Sequence, residues 1–214
     1  MVIVDLSHTL ESGMPIYPGD PVVALAASPQ EEPWRVLSLA LGSHSGTHID
    51  AAAHYVRGGC TIDRYPLERF ILPAVVAELD AGDDEEIAPA ALAEALAVAP
   101  PGGALLLRTG WDRHWGGAAM LRHPCLGTAA AEAIVAAGVT LVGTDAFNVD
   151  SSVRGTTSVH EILLGHDVLI VENLTNLDRL PVARALRCAF VPLKLADGDG
   201  SPVRAYAWDG AGES

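Results

Sequence analysis

Apolar and polar positions alternate with a period of two in several short stretches of this chain, and longer apolar runs with turn residues at their ends separate them. Residues 1–6 alternate and are β-branched, which predicts a short strand, and Arg35–Leu41 (RVLSLAL) alternates again. A further strand is predicted over Ile71–Leu79, and buried strands over Ala104–Leu107, Val139–Gly143 and Asp167–Val171. Ala/Leu-rich Pro89–Val98 reads as a helix stopped by Pro100-Pro101-Gly102-Gly103. Thr128–Ala137 reads as a second, with Thr128 as its N-cap and Gly138 closing it, and Ser158–Leu164 as a short third. The tail reads as a hairpin of Ala189–Leu195 and Val203–Trp208 around the turn Asp197-Gly198-Asp199-Gly200. Gly13–Pro21, with two glycines and three prolines, is a loop with tight turns. No repeat and no linker divides the chain. The pattern predicts one α/β domain over residues 1–214 with largely buried strands.

At 214 residues such a domain buries about 70% of its unfolded surface, enough for a core without disulfide staples. The net charge of −14 disfavours binding to phosphate backbones and to anionic lipid, so neither nucleic acid nor a membrane is an expected partner. Cys60, Cys125 and Cys188 are far apart and odd in number, which argues against a disulfide framework or a thiolate zinc site. No basic region precedes an apolar run at the N-terminus, and no apolar stretch reaches the ~20 residues that span a bilayer. The expectation is a soluble cytoplasmic protein.

The candidate chemistry is concentrated in His44-Ser45-Gly46-Thr47-His48-Ile49-Asp50-Ala51-Ala52-Ala53-His54. Three of the eight histidines fall within these eleven residues, with a carboxylate between the second and third. In extended backbone His48 and Asp50 point to one face, roughly 7 Å apart. Fully extended, His44 and His54 would be separated by more than about 30 Å, so the segment must curve if all four meet; Gly42 and Gly46 permit that. Imidazole and carboxylate without thiolate suit a catalytic site for zinc or another borderline divalent cation. A second candidate group, Asp145, Asp150, His160 and Glu172, follows downstream. Read by themselves, Glu172 at a strand end and His160 fit ordinary solvated residues, and His8, His114, His123 and His166 fit satisfied surface or core residues.

Together, H-x-G-T-H-x-D-x-x-x-H and the downstream His160 and Glu172 resemble the cyclase-like metal hydrolases typified by bacterial kynurenine formamidase. Asp5-Leu6-Ser7, Pro15-Ile16-Tyr17-Pro18-Gly19-Asp20-Pro21, Tyr65-Pro66-Leu67-Glu68, Arg108-Thr109-Gly110-Trp111, Gly138–Asp145 and Val171-Glu172-Asn173-Leu174 resemble the same family, so the likeness runs from residue 5 to about 195. It implies a swivelling β/β/α architecture, a homodimer or homotetramer, and two divalent metal ions, Zn²⁺ or else Mn²⁺. His44 and His48 would bind the first ion, Asp50 would bridge both, and His160 and Glu172 would complete the second. His54 would be the acid/base, and Tyr17 would meet the substrate ring where kynurenine formamidases carry tryptophan. Ala52 stands where the family motif has proline.

The implied reaction is hydrolysis of an amide carbon–nitrogen bond by metal-bound hydroxide, in an aryl formamide such as N-formylkynurenine. Opening of a cyclic amide of the isatin type, a cyclase or dehydratase role in secondary metabolism, and a non-catalytic metal-binding protein are the alternatives. No G-x-S-x-G and no paired Cys and His suggest a covalent nucleophile.

Overall fold

The computed structural model describes residues 2–29 and 33–209. Within them the strands run, in chain order, β1 (Ile3–Asp5), β2 (Ala24–Ala27), β3 (Leu37–Ala40), β4 (His48–Asp50), β5 (Ile71–Glu78) and β6 (Glu86–Ile87). Helix α1 (Pro89–Val98), β7 (Ala104–Arg108), β8 (Cys125–Leu126), α2 (Thr128–Ala136), β9 (Leu141–Thr144), α3 (Ser158–Gly165) and β10 (Leu169–Glu172) follow. The chain closes with β11 (Leu186–Ala189), β12 (Gly200–Pro202) and β13 (Tyr206–Trp208).

Nine of these strands form one sheet in the order β1-β13-β11-β5-β7-β9-β10-β4-β12. Its centre, β5-β7-β9-β10, is parallel, and α1, α2 and α3 make the three crossovers. Alternation along these strands sends Val75, Leu105, Val142 and Ile170 towards the helices, packed against Leu92, Ile134 and Leu163. Val76, Leu106 and Val171 point the other way, into a second core with Ile49, Phe190 and Ala207. Apolar residues on both faces are what a buried parallel sheet requires. The sheet curls: Ser7 bridges to Leu174, and the Thr47 hydroxyl accepts the His8 backbone N–H at 2.9 Å. That curl brings the segment after β1 to the end of β10, where the site lies. The chain is an α/β protein with a curled sheet and three helices. No helix among the described residues is long and apolar enough to cross a membrane.

Three expectations need correction. Thr128 is the first residue of α2 and not its N-cap; Gly127 takes that position, extended and pinned by its N–H to the Ile87 carbonyl at 3.0 Å. Gly138 does close the helix, with φ of +75°. The strand expected over Arg35–Leu41 shortens to β3, and its residues are exposed because it pairs only with β2, outside the main sheet. The tail is not a simple hairpin. Although β11 pairs with β13, Cys188 opposite Ala207, the segment between them crosses to the far edge, where β12 pairs with β4. The crossing satisfies the open backbone groups of β4, which would otherwise be an unpaired edge, and it places Gly200 opposite Asp50.

Candidate active site

His48, Asp50 and Glu172 meet because β4 lies antiparallel to β10 with Glu172 opposite His48. Gly46, at φ of +66°, turns the chain into β4. Beyond Asp50 the strand ends in a 3-10 turn, Ala52–His54, which brings His54 back beside His44 with ring centroids 4.0 Å apart. The required curvature is therefore present. His160 comes from α3, the helix leading into β10. The four residues lie at the C-terminal end of the parallel strands, where open α/β sheets place their ligands.

His44, His48, Asp50, His54, His160, Glu172 and Tyr17 all line one cleft of about 230 Å³. The other four histidines are not in its wall. Glu172 and His160 are 4% and 3% exposed, which overturns the reading of either as a solvated residue. His48 Nε2 lies 3.4 Å from Asp50 Oδ1 and 3.6 Å from Glu172 Oε2. His160 Nε2 lies 3.6 Å from Asp50 Oδ2 and 3.5 Å from Glu172 Oε1. Two imidazoles and two carboxylates thus face one another in alternation, at separations beyond ordinary charge-assisted hydrogen bonds.

The remote nitrogen of each ring is fixed. His48 Nδ1 is 2.8 Å from the Gly46 carbonyl, and His160 Nδ1 is 2.8 Å from Asp150 Oδ2. With the ring neutral, a proton held on those nitrogens leaves each Nε2 lone pair pointing into the centre, as metal-ligating histidines are held. Asp150 also accepts the backbone N–H groups of Val159 and His160. Asn173, at φ of +58°, turns the chain after Glu172 and donates its side-chain N–H to the same Gly46 carbonyl at 3.1 Å.

The electrostatics follow from burial. His48 is pushed down to about 4 by desolvation. Burial also works against the charged forms of His44 and His160. The Asp50 carboxylate beside His44, and Asp150 with Asp50 beside His160, outweigh it and raise the two to about 9 and about 10. Burial and the neighbouring Asp50 charge push Glu172 up to about 8. Burial would raise Asp50 too, but His44 and His48 hold it well below the usual carboxylate range.

A divalent cation fits this donor set. Asp50 is 1% exposed, yet its Oδ2 has no hydrogen-bond partner, a costly arrangement for a buried carboxylate. Ligand atoms converge in three groups among the described residues: His44 with His48 and Asp50, His44 with His54 and Asp199, and Asp50 with His54 and His160. The nitrogen and oxygen ligands suit zinc, manganese and similar ions.

Two participants have weaker sequence signals. Asp150 lies in the downstream acidic group but has no metal-ligand spacing of its own. Asp199 lies in the turn predicted for the tail, and its approach to His44, at 3.0 Å, depends on the crossing of that segment to the far edge. Phe147 joins Tyr17 in the cleft wall, their rings parallel within 9° and 6.2 Å apart. Trp111 is buried, Trp115 stacks on His8 at 4.1 Å, and Trp34 is exposed.

Comparison with known proteins agrees with this architecture. The putative cyclase family matches over residues 4–151. A kynurenine formamidase of Salinibacter ruber is 32% identical, over 98% of both chains. Isatin hydrolase A of Labrenzia aggregata, solved with benzyl benzoate, superposes with a TM-score of 0.86 at 27% identity, over 96% of this chain and 93% of that one. A solved potential metal-dependent hydrolase with cyclase activity superposes with a TM-score of 0.80 at 25% identity, over 97% and 98% of the two chains. Fold and site together define an amidohydrolase. The chain belongs to the putative cyclase family.

Proposed function

We propose that this protein hydrolyses the carbon–nitrogen bond of an aryl amide, with an aryl formamide such as N-formylkynurenine as substrate. The observation that carries this reading is the alternating quartet of His48, Asp50, His160 and Glu172, with the Asp50 Oδ2 atom buried and without a hydrogen-bond partner at its centre. His44, His48 and Asp50 would hold one divalent cation, and Asp50, His160 and Glu172 a second, with zinc the best match to the donors. The chemistry such ions supply when bound is Lewis acidity towards an amide carbonyl and towards water.

The chain's own residues do the rest. The parallel rings of Tyr17 and Phe147 take the aryl group and direct the amide towards the histidines. A water oxygen bonds to the formyl carbon, the carbon–nitrogen bond breaks, and His54 carries a proton to the leaving nitrogen, giving an arylamine and formate. Desolvation lowers the His54 pKa, and the ring is partly exposed at the cleft wall, so it can exchange a proton with substrate. Cyclic aryl amides are a second reading, favoured by the likeness to isatin hydrolase A.

The test is a substrate series of N-formylkynurenine, formanilide and isatin with zinc- or manganese-loaded protein, alongside elemental analysis. Two ions per chain and chelator-sensitive release of arylamine are expected. Protein that holds two ions and cleaves none of the three would overturn the reading.

A further inference from the structure

We infer that Asp199 is the positioning residue of this site, a single carboxylate that sets the rings of both His44 and His54. The inference rests on the reading of His44 as a ligand and His54 as the proton carrier. Asp199 Oδ2 lies 3.0 Å from His44 Nε2 and 3.4 Å from His54 Nδ1. The opposite nitrogen of His44, Nδ1, lies 2.7 Å from Asp50 Oδ1. His44 is therefore strung between a buried carboxylate and a partly exposed one, with side chains 1% and 44% exposed.

The tautomers follow from those contacts. A proton on His44 Nε2, held by Asp199, leaves the Nδ1 lone pair on the side of Asp50, where a shared cation would sit. His54 Nδ1 faces the same oxygen at ion-pair distance, 3.4 Å, and a proton there leaves Nε2 as the nitrogen that exchanges with substrate. One oxygen thus prepares a ligand and a proton carrier whose rings lie 4.0 Å apart. Outer carboxylates of this kind fix tautomer and ring orientation in metal sites.

The turn that carries Asp199 is held by its backbone. The Ala51 N–H donates to the Asp199 carbonyl at 2.9 Å and the Ile62 N–H to the Gly198 carbonyl at 2.8 Å. Gly200 stands opposite Asp50, and a Cβ there would come within 2.8 Å of His44 Cε1. A side chain is excluded at position 200, so the strand can press against the ring that Asp199 holds. None of these backbone contacts uses the Asp199 side chain, whose other bonds go to Ser43 and to its own backbone N–H, so the backbone pairing that holds the turn does not depend on the carboxylate.

The experiment compares zinc binding and ring tautomers in the intact chain. Zinc affinity is measured by competition with a chromophoric chelator, and the imidazole nitrogens are read by long-range ¹H–¹⁵N correlation in zinc-loaded protein. Asp199→Ala should weaken zinc binding about 10–100-fold and release His54 from a single Nδ1–H tautomer into a mixture. Asp199→Asn, which keeps the size and one acceptor oxygen, should lie between it and the parent, showing that the loss is not one of folding. Parental affinity and an unchanged His54 tautomer in both variants would overturn the inference. Asp50→Ala, run in parallel, separates the two failures. If it loses zinc while the Asp199 variants do not, positioning is wrong and the metal reading stands; if it keeps zinc, the metal reading fails and takes the inference with it.

Discussion

Two buried acids stand at the ends of neighbouring strands of this sheet, and they are handled in opposite ways. Asp145, directly after β9, is 4% exposed and receives the Thr109 N–H at 2.9 Å, the Thr109 hydroxyl at 2.6 Å and the Gly110 N–H at 2.8 Å. Glu172, at the end of β10, is equally buried, but receives a single backbone donor, the Val149 N–H at 3.0 Å. Its remaining neighbours are two imidazole nitrogens at 3.5 and 3.6 Å. A carboxylate ringed by N–H and O–H donors holds a loop together; one that faces ring nitrogens beside another carboxylate has bonding capacity left over. The same residue class at equivalent strand ends therefore separates into a structural acid and a candidate ligand by the count of donors alone. The division extends to the cleft: the Asp145 side leads into Phe147 and the aromatic pair, and the Glu172 side into the histidines.

The strongest way to break this comparison is at the shared acid of the ligand side. Asp50→Asn should bind neither ion and lose activity by on the order of 10³-fold or more, since several kcal/mol of charge stabilisation go with the metals. Elemental analysis and turnover of formanilide check it, and retention of both ions would erase the distinction between the two strand ends. His54→Ala comes next, with a fall of about 10²–10⁴-fold in kcat at near-normal metal content. Loss of an ion in that variant would instead make His54 a ligand with Asp50 and His160, one of the convergent groups.

The ligand side was legible in the sequence to an unusual degree because its chemistry is local. His44, His48, Asp50 and His54 lie within eleven residues; His48 and Asp50 share one face of β4, and the turns at Gly46 and Ala52–His54 bring the other two beside them. His160 and Glu172 became legible only through the family resemblance, since an acid at a strand end looks the same whether it is solvated or enclosed. Asp199 was hidden by topology: its 155-residue separation from His44 is bridged by a strand crossing that no local pattern encodes. The central strands and three helices follow from periodicity, whereas exposed β3 fails because alternation states which residues share a face and not whether anything covers it.

Asp145→Ala probes the structural side. It should cost about 1–3 kcal/mol, because buried Thr109 and Gly110 donors lose their acceptor, while the metal content stays at the parental value. The pH dependence has a definite sign. Burial pushes Asp145 up to about 6, above its ordinary value of 3.8, so the folded state holds the proton more tightly. Its contribution is full below about pH 4 and declines as pH rises through about 6. The gap in unfolding free energy between parent and variant should be widest near pH 4 and narrower at pH 7. A gap that widens with pH would show that the ionised form is the one the Thr109 and Gly110 donors favour.

The smallest effect is expected at Tyr17, where the aromatic half of the cleft meets solvent. Two prolines and a glycine shape the loop Pro15-Ile16-Tyr17-Pro18-Gly19, and the Asp20 N–H closes it on the Tyr17 carbonyl at 3.0 Å. Tyr17 is 38% exposed, so it gives up only part of its surface to a bound aryl group. Truncation to alanine should lower kcat/KM for formanilide by about 1 kcal/mol, roughly fivefold, and leave alkyl formamides almost unchanged. Tyr17→Phe should retain the parental preference, because a ring face is all that stacking uses. If Tyr17 instead plugs the loop against Phe147, the alanine variant melts earlier and both substrates lose equally. A selective loss confined to the aryl substrate, at constant metal content and melting temperature, would place recognition on the Asp145 side of the cleft and chemistry on the Glu172 side.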